Sequence, residues 1–237
     1  MDIEFARRYL RQCERILVIT GAGMSAESGI PTFRGEGQRW QNCDVKDLAT
    51  PSAFDADPRF IWNWYLHRRS VVAKSGPNAG HYALAEWSKD RSEVTVVTQN
   101  VDGLHEQAGQ RNLVSVHGSL WHNRCTKCGH ERIDRSIQYA DLPRSPCCDA
   151  FERPAIVWMG ERIAMSDIER SHAAAFDAEA VITIGTSGAV TTVTSLVAIA
   201  RARCAEIFDI NVERSAVEAH CRLFGTAGEL VPKLLAA

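Results

Sequence analysis

Short apolar runs that alternate with amphipathic stretches give this chain its main pattern. The runs are four or five residues long and mostly rich in Val, Ile and Leu, which is typical of strands buried on both faces of a sheet. They span residues 16–20, 94–97, 113–116, 181–184 and 206–210. Helical spacing of apolar residues covers 3–13, 59–73, 79–89, 166–176, 190–203 and 213–221. Alternation of this kind predicts an α/β fold built on a doubly wound parallel sheet.

Two segments interrupt the alternation. Residues 36–75 are aromatic-rich and helical in pattern, and residues 119–153 are polar and contain four cysteines. We expect both to be insertions that form one smaller domain, helical with a zinc ribbon, over an edge of the sheet. The Rossmann-like domain then comprises residues 1–35, 76–118 and 154–237. A ligand cleft between the domains would lie at the carboxyl ends of the strands, where such sheets bind ligands.

Composition narrows the class of protein. The chain has 237 residues, 45% of them apolar and 24% charged, which is enough for one large α/β core with a smaller module. A formal charge of −2 gives no overall attraction to nucleic acids or anionic membranes. The first residues lack an apolar signal region, and no long apolar span follows. We therefore expect a cytoplasmic monomer that binds neither membranes nor nucleic acid.

The cysteines are distributed unevenly. Four of the eight lie in the second insertion, which favours a metal site in a reducing compartment over a disulfide framework. Cys125 and Cys128 have the spacing of a zinc knuckle, whereas Cys147 and Cys148 are adjacent. We predict that these four hold one structural zinc ion that takes no part in chemistry. Three other residues could instead complete the tetrahedron, or the site could bind zinc weakly; the three are His122, His130 and Asp149.

A glycine-rich turn follows the first apolar run. A buried strand ending in Gly21-Ala22-Gly23 can bring backbone amides close to a pyrophosphate, because glycines allow the main chain to approach. The next glycine is Gly29, so the spacing differs from Gly-x-Gly-x-x-Gly. Residues 29–35 are rich in Gly, Pro and polar residues, and we expect a loop over a bound nucleotide.

Polar residues follow two other predicted strands. Asn100 and Asp102 come after the run at 94–97, where Asn-x-Asp-Gly is equally suited to capping a helix. His117 ends the run at 113–116 and precedes Gly118. A single histidine there is more often a hydrogen-bonded structural residue, but its ordinary pKa of ~6.5 also suits a general base.

Three motifs together resemble the sirtuins, the NAD-dependent protein lysine deacylases. They are the segments 21–40, 98–105 and 117–119, and the resemblance extends from about residue 16 to about residue 232. It implies NAD as co-substrate, acyl-lysine proteins or peptides as substrates, and nicotinamide and O-acyl-ADP-ribose as products.

The resemblance also implies roles for individual residues. His117 matches the general base, and Asn100, with Gln99, would orient the ribose and the attacking groups. Asp102 would bind the nicotinamide carboxamide, and Phe33 would shield the reacting carbon from water. Further NAD contacts are implied at Gly21, Ala22, Gly23, Glu27, Thr32, Arg34, Trp40, Val101, Gly185, Thr186, Ser187, Asn211, Glu213 and Ala227.

Two further segments concern the substrate. Residues 153–161 resemble the strand of the family that pairs with an extended peptide, although an ordinary buried strand would have the same pattern. The substrate-binding residues there would be Val157, Trp158, Met159, Gly160 and Glu161, with Met159 where the family has phenylalanine.

Tyr65 and Arg68 are three residues apart on a predicted helix, so they share a face. Such a pair is usually solvated surface. Here it resembles the Tyr-x-x-Arg signature of sirtuins that remove malonyl, succinyl and glutaryl groups, in which both residues bind the acyl carboxylate. We therefore expect desuccinylase or demalonylase activity beside deacetylase activity.

One departure from the family lies in the cysteine cluster. Cys148 matches the family's last zinc ligand, but Ser145 stands where its partner cysteine is expected. Two alternative functions stay open: a mono-ADP-ribosyltransferase or NAD glycohydrolase, and a zinc-ribbon protein that binds nucleic acid. The second has little support, because the basic residues of the ribbon are not interleaved with aromatic residues.

Overall fold

The computed structural model describes residues 2–32, 39–41 and 43–236. Its strands are β1 (Ile16–Thr20), β2 (Arg39–Trp40), β3 (Cys43–Asp44), β4 (Val94–Thr98), β5 (Leu113–Ser115), β6 (Gly118–Cys125), β7 (Glu131–Ile133), β8 (Glu152–Ile156), β9 (Ala180–Ile184), β10 (Glu206–Asn211) and β11 (Cys221–Phe224). Its α-helices are α1 (Ile3–Gln12), α2 (Val45–Leu48), α3 (Pro51–Ala56), α4 (Pro58–Val72), α5 (Ala79–Ser88), α6 (Leu104–Gln107), α7 (Met165–Asp177), α8 (Thr191–Ala202) and α9 (Ala227–Leu235). None of these helices is long and apolar enough to cross a membrane.

Six strands form the parallel sheet that the apolar runs predict. Their order is β11-β10-β9-β1-β4-β5, and every adjacent pair is parallel. All five residues of β1 are buried, because apolar clusters cover both faces of the sheet. The α/β fold class is therefore confirmed, together with the predicted helices that correspond to α1, α4, α5, α7 and α8.

The order of the strands places a crevice at β1. β1 lies between β4 on one side and β9 on the other, so the chain moves outward from β1 in both directions. In such a sheet the loops that follow the strands on either side of the switch point lead to opposite faces of the sheet. The crevice that they leave at the carboxyl ends of the strands has room for a ligand. The turns after Thr20, Thr98 and Ile184 meet at this edge.

The two interrupting segments pack together. A third apolar cluster joins α3 and α4 to β6 and to Trp158, and β6 lies between β7 and β8 in a separate antiparallel sheet. The side chain of Arg69 is fully buried beneath these elements and donates to the carbonyl of Leu120 over 2.7 Å. The cysteine-bearing ribbon is thereby fixed to the helices. The domain boundaries given above stay a prediction.

One predicted helix is wrong. Residues 213–220 form a loop that leads into β11, a strand that begins at Cys221 and that the apolar pattern did not predict. The loop is stabilised by polar contacts: the Ser215 hydroxyl donates to Asp209 over 2.8 Å, and the Ala216 amide donates to the Ser187 carbonyl over 2.9 Å. Because these hydrogen bonds engage groups that a helix would otherwise use, the segment stays a loop.

Candidate active site

The turns after three neighbouring strands are hydrogen-bonded to one another. The Gln99 amide nitrogen donates to the Thr20 carbonyl over 3.0 Å, and its side-chain nitrogen donates to Thr186 Oγ1 over 3.0 Å. Asn100 Nδ2 donates to the Gly21 carbonyl over 3.0 Å. Residues from three separate parts of the sequence therefore form one polar surface at the predicted edge of the sheet.

Close backbone contact joins the first of these turns to the last. The Gly23 amide donates to the Gly185 carbonyl over 2.8 Å, and a Cβ added to Gly23 would lie 2.6 Å from Gly185 Cα. Gly185 also has φ +60°, a conformation that favours glycine. These glycines bring the two loops together, and Ala22 begins a short 3₁₀ turn in the first of them.

The side chain of Asp102 is buried beside this polar surface. Its carboxylate accepts hydrogen bonds from the Ser25 hydroxyl over 2.8 Å and from the Leu104 amide over 2.9 Å. Burial raises the pKa of Asp102, while these two hydrogen bonds oppose the rise. The bond to Leu104 is that of an Asx turn just before α6, whose N-cap is Gly103, so Asp102 itself is not the helix cap.

Two buried histidines lie behind Asp102. His81 and His105 are in edge-to-face contact with ring centroids 4.9 Å apart, and His105 Nε2 lies 2.9 Å from Thr20 Oγ1. Burial lowers the pKa of His81 to about 4 and that of His105 to about 3, so both rings are neutral near pH 7. Sequence reasoning missed Ser25 and His81. The available signal was Asn78, which caps α5 and pairs with His81 in a capping box.

His117 has the hydrogen bond that a general base requires. Its Nδ1 lies 3.1 Å from the Gln99 carbonyl, which can only accept, so Nδ1 carries the proton and Nε2 has a free lone pair in the neutral ring. Burial lowers the pKa of His117, partly offset by this hydrogen bond. The ring is therefore neutral at pH 7 and able to accept a proton at Nε2.

The segment after β8 lies against His117. The Val157 amide donates to the His117 carbonyl over 3.0 Å, and the Met159 amide donates to the Ala49 carbonyl over 2.8 Å. β8 itself ends at Ile156, so residues 157–161 form a loop where the sequence predicted a continued strand. Glu161 closes this loop by accepting from the Trp158 amide over 2.8 Å, and Met159 and Gly160 are exposed at its tip.

Tyr65 and Arg68 approach this loop from α4. Tyr65 is fully buried, and its hydroxyl accepts a hydrogen bond from Trp158 Nε1 over 2.6 Å. Burial raises the pKa of Tyr65 to about 12, so the phenol is neutral. The Arg68 guanidinium lies 5.4 Å from the Trp64 ring centroid and interacts electrostatically with Asp102. The sequence left open that Tyr65 and Arg68 are a solvated surface pair; for Tyr65 this alternative is wrong, because its side chain is buried.

The remaining predicted NAD contacts extend along the sheet edge. Asn211 Nδ2 donates to the Thr186 carbonyl over 2.7 Å, and Glu27 accepts from the Thr226 hydroxyl over 2.9 Å and from an amide beside Ala227. Val101 and Ala227 are buried, Thr32, Trp40 and Ser187 are half-buried, and Glu213 is exposed. Phe33 and Arg34 lie outside the described residues.

Asp209 is a further buried residue that the sequence did not single out. Its carboxylate accepts from Thr183 Oγ1 over 2.7 Å, from Ser215 and from Arg222 over 3.1 Å. It therefore fixes the loop that follows Asn211. An acidic residue inside an apolar strand was the only signal for it.

The sulfur atoms of Cys125, Cys128 and Cys148 form a group, with every pair within 4.8 Å. The amides of Lys127 and Cys128 both lie 3.4 Å from Cys125 Sγ, as in a knuckle that supports a thiolate. Three thiolates from two turns fit a structural zinc ion. Cys147 is outside this group, because it occupies the middle of its turn. The sequence-based choice of Cys147 as a ligand therefore lacks a geometric basis.

Comparisons with known proteins agree with this geometry. The model of the Sir2 family matches residues 21–192. A protein of Leptospira interrogans named NAD-dependent protein deacylase is 40% identical over 98% of this chain and 96% of its own length. A Pyrobaculum aerophilum protein, NAD-dependent protein deacylase 2, is 40% identical over 95% of this chain and 92% of its own. A solved Sir2 homologue in complex with NAD is 37% identical, with a TM-score of 0.94 over 99% of this chain and 93% of its own.

Proposed function

This chain belongs to the Sir2 family, and we propose that it acts on lysine side chains that carry acidic acyl groups, succinyl and malonyl, as well as on acetyl-lysine. Its curated relatives are NAD-dependent protein deacylases, and the coarser activity follows from the family: this chain is an NAD-dependent protein deacylase. The acyl group is the part that has to be argued from the chain's own residues.

The pair formed by Tyr65 and Arg68 carries the proposal. The Tyr65 hydroxyl is fixed by Trp158, which belongs to the loop that also contacts His117. Arg68 is half-buried among aromatic rings, and burial lowers its pKa. An acyl carboxylate bound there would meet a cation in a partly desolvated place, where opposite charges attract more strongly than in water.

The polar surface at the strand ends suits the dinucleotide. It offers backbone groups from glycine turns for the phosphates, and side-chain amide and carboxylate groups from Gln99, Asn100 and Asp102. When bound, NAD supplies an electrophilic ribose carbon as nicotinamide departs. The residues present therefore fit the co-substrate that the family uses.

The chain's own residues would divide the work as follows. Asp102 would bind the nicotinamide carboxamide. Asn100 and Gln99 would hold the ribose so that the acyl oxygen approaches the reacting carbon from the face opposite to nicotinamide. His117 would accept a ribose hydroxyl proton at Nε2, because its Nδ1 is already engaged by the Gln99 carbonyl. The loop at 157–161 would bind the peptide through its backbone.

Arg68→Met tests the acyl preference. We expect kcat/KM for a succinyl-lysine peptide to fall roughly 10- to 100-fold, since a hydrogen bond to a charged group contributes about 1.5–3 kcal/mol. For the matching acetyl-lysine peptide we expect a change of less than about 3-fold. Arg59→Met is the matched control, because Arg59 is an exposed residue of the same helix. Equal losses on both peptides would refute the proposal.

The same assay separates the other NAD chemistries. Deacylated peptide and nicotinamide should appear in equal amounts when both are followed by mass spectrometry. Nicotinamide without deacylated peptide would indicate a glycohydrolase, and a mass gain of ADP-ribose on the protein would indicate a transferase; either result contradicts the deacylase.

A further inference from the structure

The turn at residues 145–150 repeats the geometry of the zinc knuckle at residues 125–130. In the first turn the Cys125 amide donates to the carbonyl of the fifth residue along, His130, over 2.9 Å. In the second turn the Ser145 amide donates to the carbonyl of Ala150 over 2.8 Å. Residue 145 therefore stands in the second turn where Cys125 stands in the first.

Two more features of the turns agree. The fourth residue after the start has positive φ in both, +72° at Gly129 and +57° at Asp149. The amide two residues after the start approaches the first side chain in both: Lys127 to Cys125 Sγ over 3.4 Å, and Cys147 to Ser145 Oγ over 3.4 Å. Cys147 thus matches Lys127, which is not a ligand position, and Cys148 matches Cys128.

The positions of the side-chain atoms point the same way. Ser145 Oγ lies 3.8 Å from Cys128 Sγ, and Cys125 Sγ lies 3.4 Å from Cys148 Sγ. A tetrahedral zinc ion with Zn–S bonds of about 2.3 Å has ligand-to-ligand edges of about 3.8 Å. Ser145 is only 3% exposed, whereas Cys147 is exposed.

We propose that the zinc ion of this chain is held by Cys125, Cys128, Cys148 and the hydroxyl of Ser145, and that Cys147 is a free thiol. This goes beyond the deacylase activity, because the site is structural. A hydroxyl is a weaker and harder ligand for zinc than a thiolate. The ion is therefore held less tightly than by four cysteines, and a chelator removes it more readily.

Cobalt substitution counts the thiolates without any use of the deacylase activity. The full chain is loaded with Co²⁺, and the thiolate-to-cobalt charge-transfer band is compared among variants. Cys147→Ser should leave the band unchanged. Ser145→Cys should raise its intensity by about one third, because a fourth thiolate joins three.

Zinc affinity, measured by competition with a chromophoric chelator, gives a second readout. Relative to the unaltered chain, Ser145→Cys should bind zinc at least about tenfold more tightly, and Ser145→Ala should bind it more weakly. Cys147→Ser should bind with unchanged affinity. Circular dichroism of each loaded variant checks that the fold is retained.

Three results would overturn the proposal. They are loss of about a quarter of the charge-transfer intensity in Cys147→Ser, an unchanged zinc affinity in Ser145→Ala, and purified chain that binds no zinc at all. The first would restore Cys147 as the fourth ligand. The second would remove Ser145 from the coordination shell.

Discussion

Two buried polar networks in this molecule differ in charge: one is mostly neutral and the other consists of ion pairs. The strand-end network, Thr20, Ser25, His81, Asp102 and His105, lies behind the candidate active site, and all five residues are buried. Its histidines are neutral, and burial raises the pKa of its one carboxylate. It is thus a group of neutral donors and acceptors around a single acid.

The module network, Arg69, Asn123, Arg132, Asp134 and Glu152, joins the helices to the ribbon and is ionic. Arg69 Nη2 donates to Asn123 Oδ1 over 2.7 Å, and Arg132 lies 2.7 Å from Glu152 and 2.8 Å from Asp134. Hydrogen bonds and Arg132 outweigh burial and lower the pKa of Asp134. Hydrogen bonds to Glu152, against burial, raise the pKa of Arg132.

The difference shows what each network is suited to do. The paired charges of the module network are mutually satisfied, so the network fixes two pieces of backbone together. The strand-end network holds polar atoms in position without paired charges, which suits a site where a ligand must supply part of the charge. The two should therefore respond differently to mutation and to pH.

The largest effect is expected from His117→Ala, beside the strand-end network. Loss of the general base should lower deacylation by about 10²- to 10⁴-fold, while the melting temperature stays close to that of the unaltered chain. His67→Ala, at an exposed position, serves as the control in the same peptide assay. Activity that survives in His117→Ala would assign the base elsewhere.

Arg69→Met should have the next largest effect, and it should be on stability. Removing one partner leaves Asp134 buried beside fewer positive charges, at a cost of about 3–5 kcal/mol in the free energy of unfolding. Urea denaturation measures it, with the exposed Arg59→Met as the matched variant. A cost near that of Arg59→Met would mean that the module network contributes little.

Acid should weaken the strand-end network first. His81 and His105 are neutral when folded, with pKa values of about 4 and 3, but bind protons below about 6.5 when unfolded. Their contribution to stability is therefore complete above about pH 6.5 and declines as pH falls toward the folded values, by about 1.4 kcal/mol per histidine at pH 5.5.

Denaturation in urea at pH 7.0 and pH 5.5 measures this loss. His105→Gln should reduce the difference between the two pH values by the share of one histidine, since the rings of His81 and His117, whose pKa values are also lowered by burial, remain. The module network should not contribute in this range, because the pKa of Asp134 is lowered and its carboxylate stays ionised. If the unaltered chain and His105→Gln lost the same stability between pH 7.0 and pH 5.5, His105 would not be one of the groups that titrate.

The smallest effect should come from an ion pair that is not buried. Glu218 accepts from Arg201 over 2.6 Å, yet 81% of its side chain is exposed. Glu218→Gln should therefore change the free energy of unfolding by less than about 1 kcal/mol. If Glu218→Gln cost as much as Arg69→Met, burial would not explain the difference between the Arg201–Glu218 pair and the Arg69–Asp134 pair.

The sequence predicted the sheet, and the meeting of the candidate residues at one edge of it, for a physical reason. Strands such as β1 are buried on both faces, so their apolar runs are continuous, and polar residues directly after them must lie at one edge. This argument was sufficient to bring Gln99, Asn100 and His117 together with the first glycine turn.

Other features depend on contacts that local patterns do not encode. Residues 213–221 have helical spacing, yet Asp209 and Ser187 bind their polar groups and hold them in a loop. Cys147 was chosen because it is a cysteine, whereas the fold of its turn decides which side chain faces the metal. Ser25 and His81 are distant in sequence from Asp102; only in the folded chain does Ser25 donate to Asp102 and lie 3.5 Å from His81 Nε2.

The contact between Gly23 and Gly185 limits how this protein can change. Because main chain meets main chain, no side chain is available there to be trimmed or enlarged, and any replacement would push apart the turns that follow β1 and β9. The width of the cofactor crevice is thus fixed at that point by direct contact between two stretches of backbone. Adaptation to a different dinucleotide would have to begin at the outer loops, where side chains still form the walls.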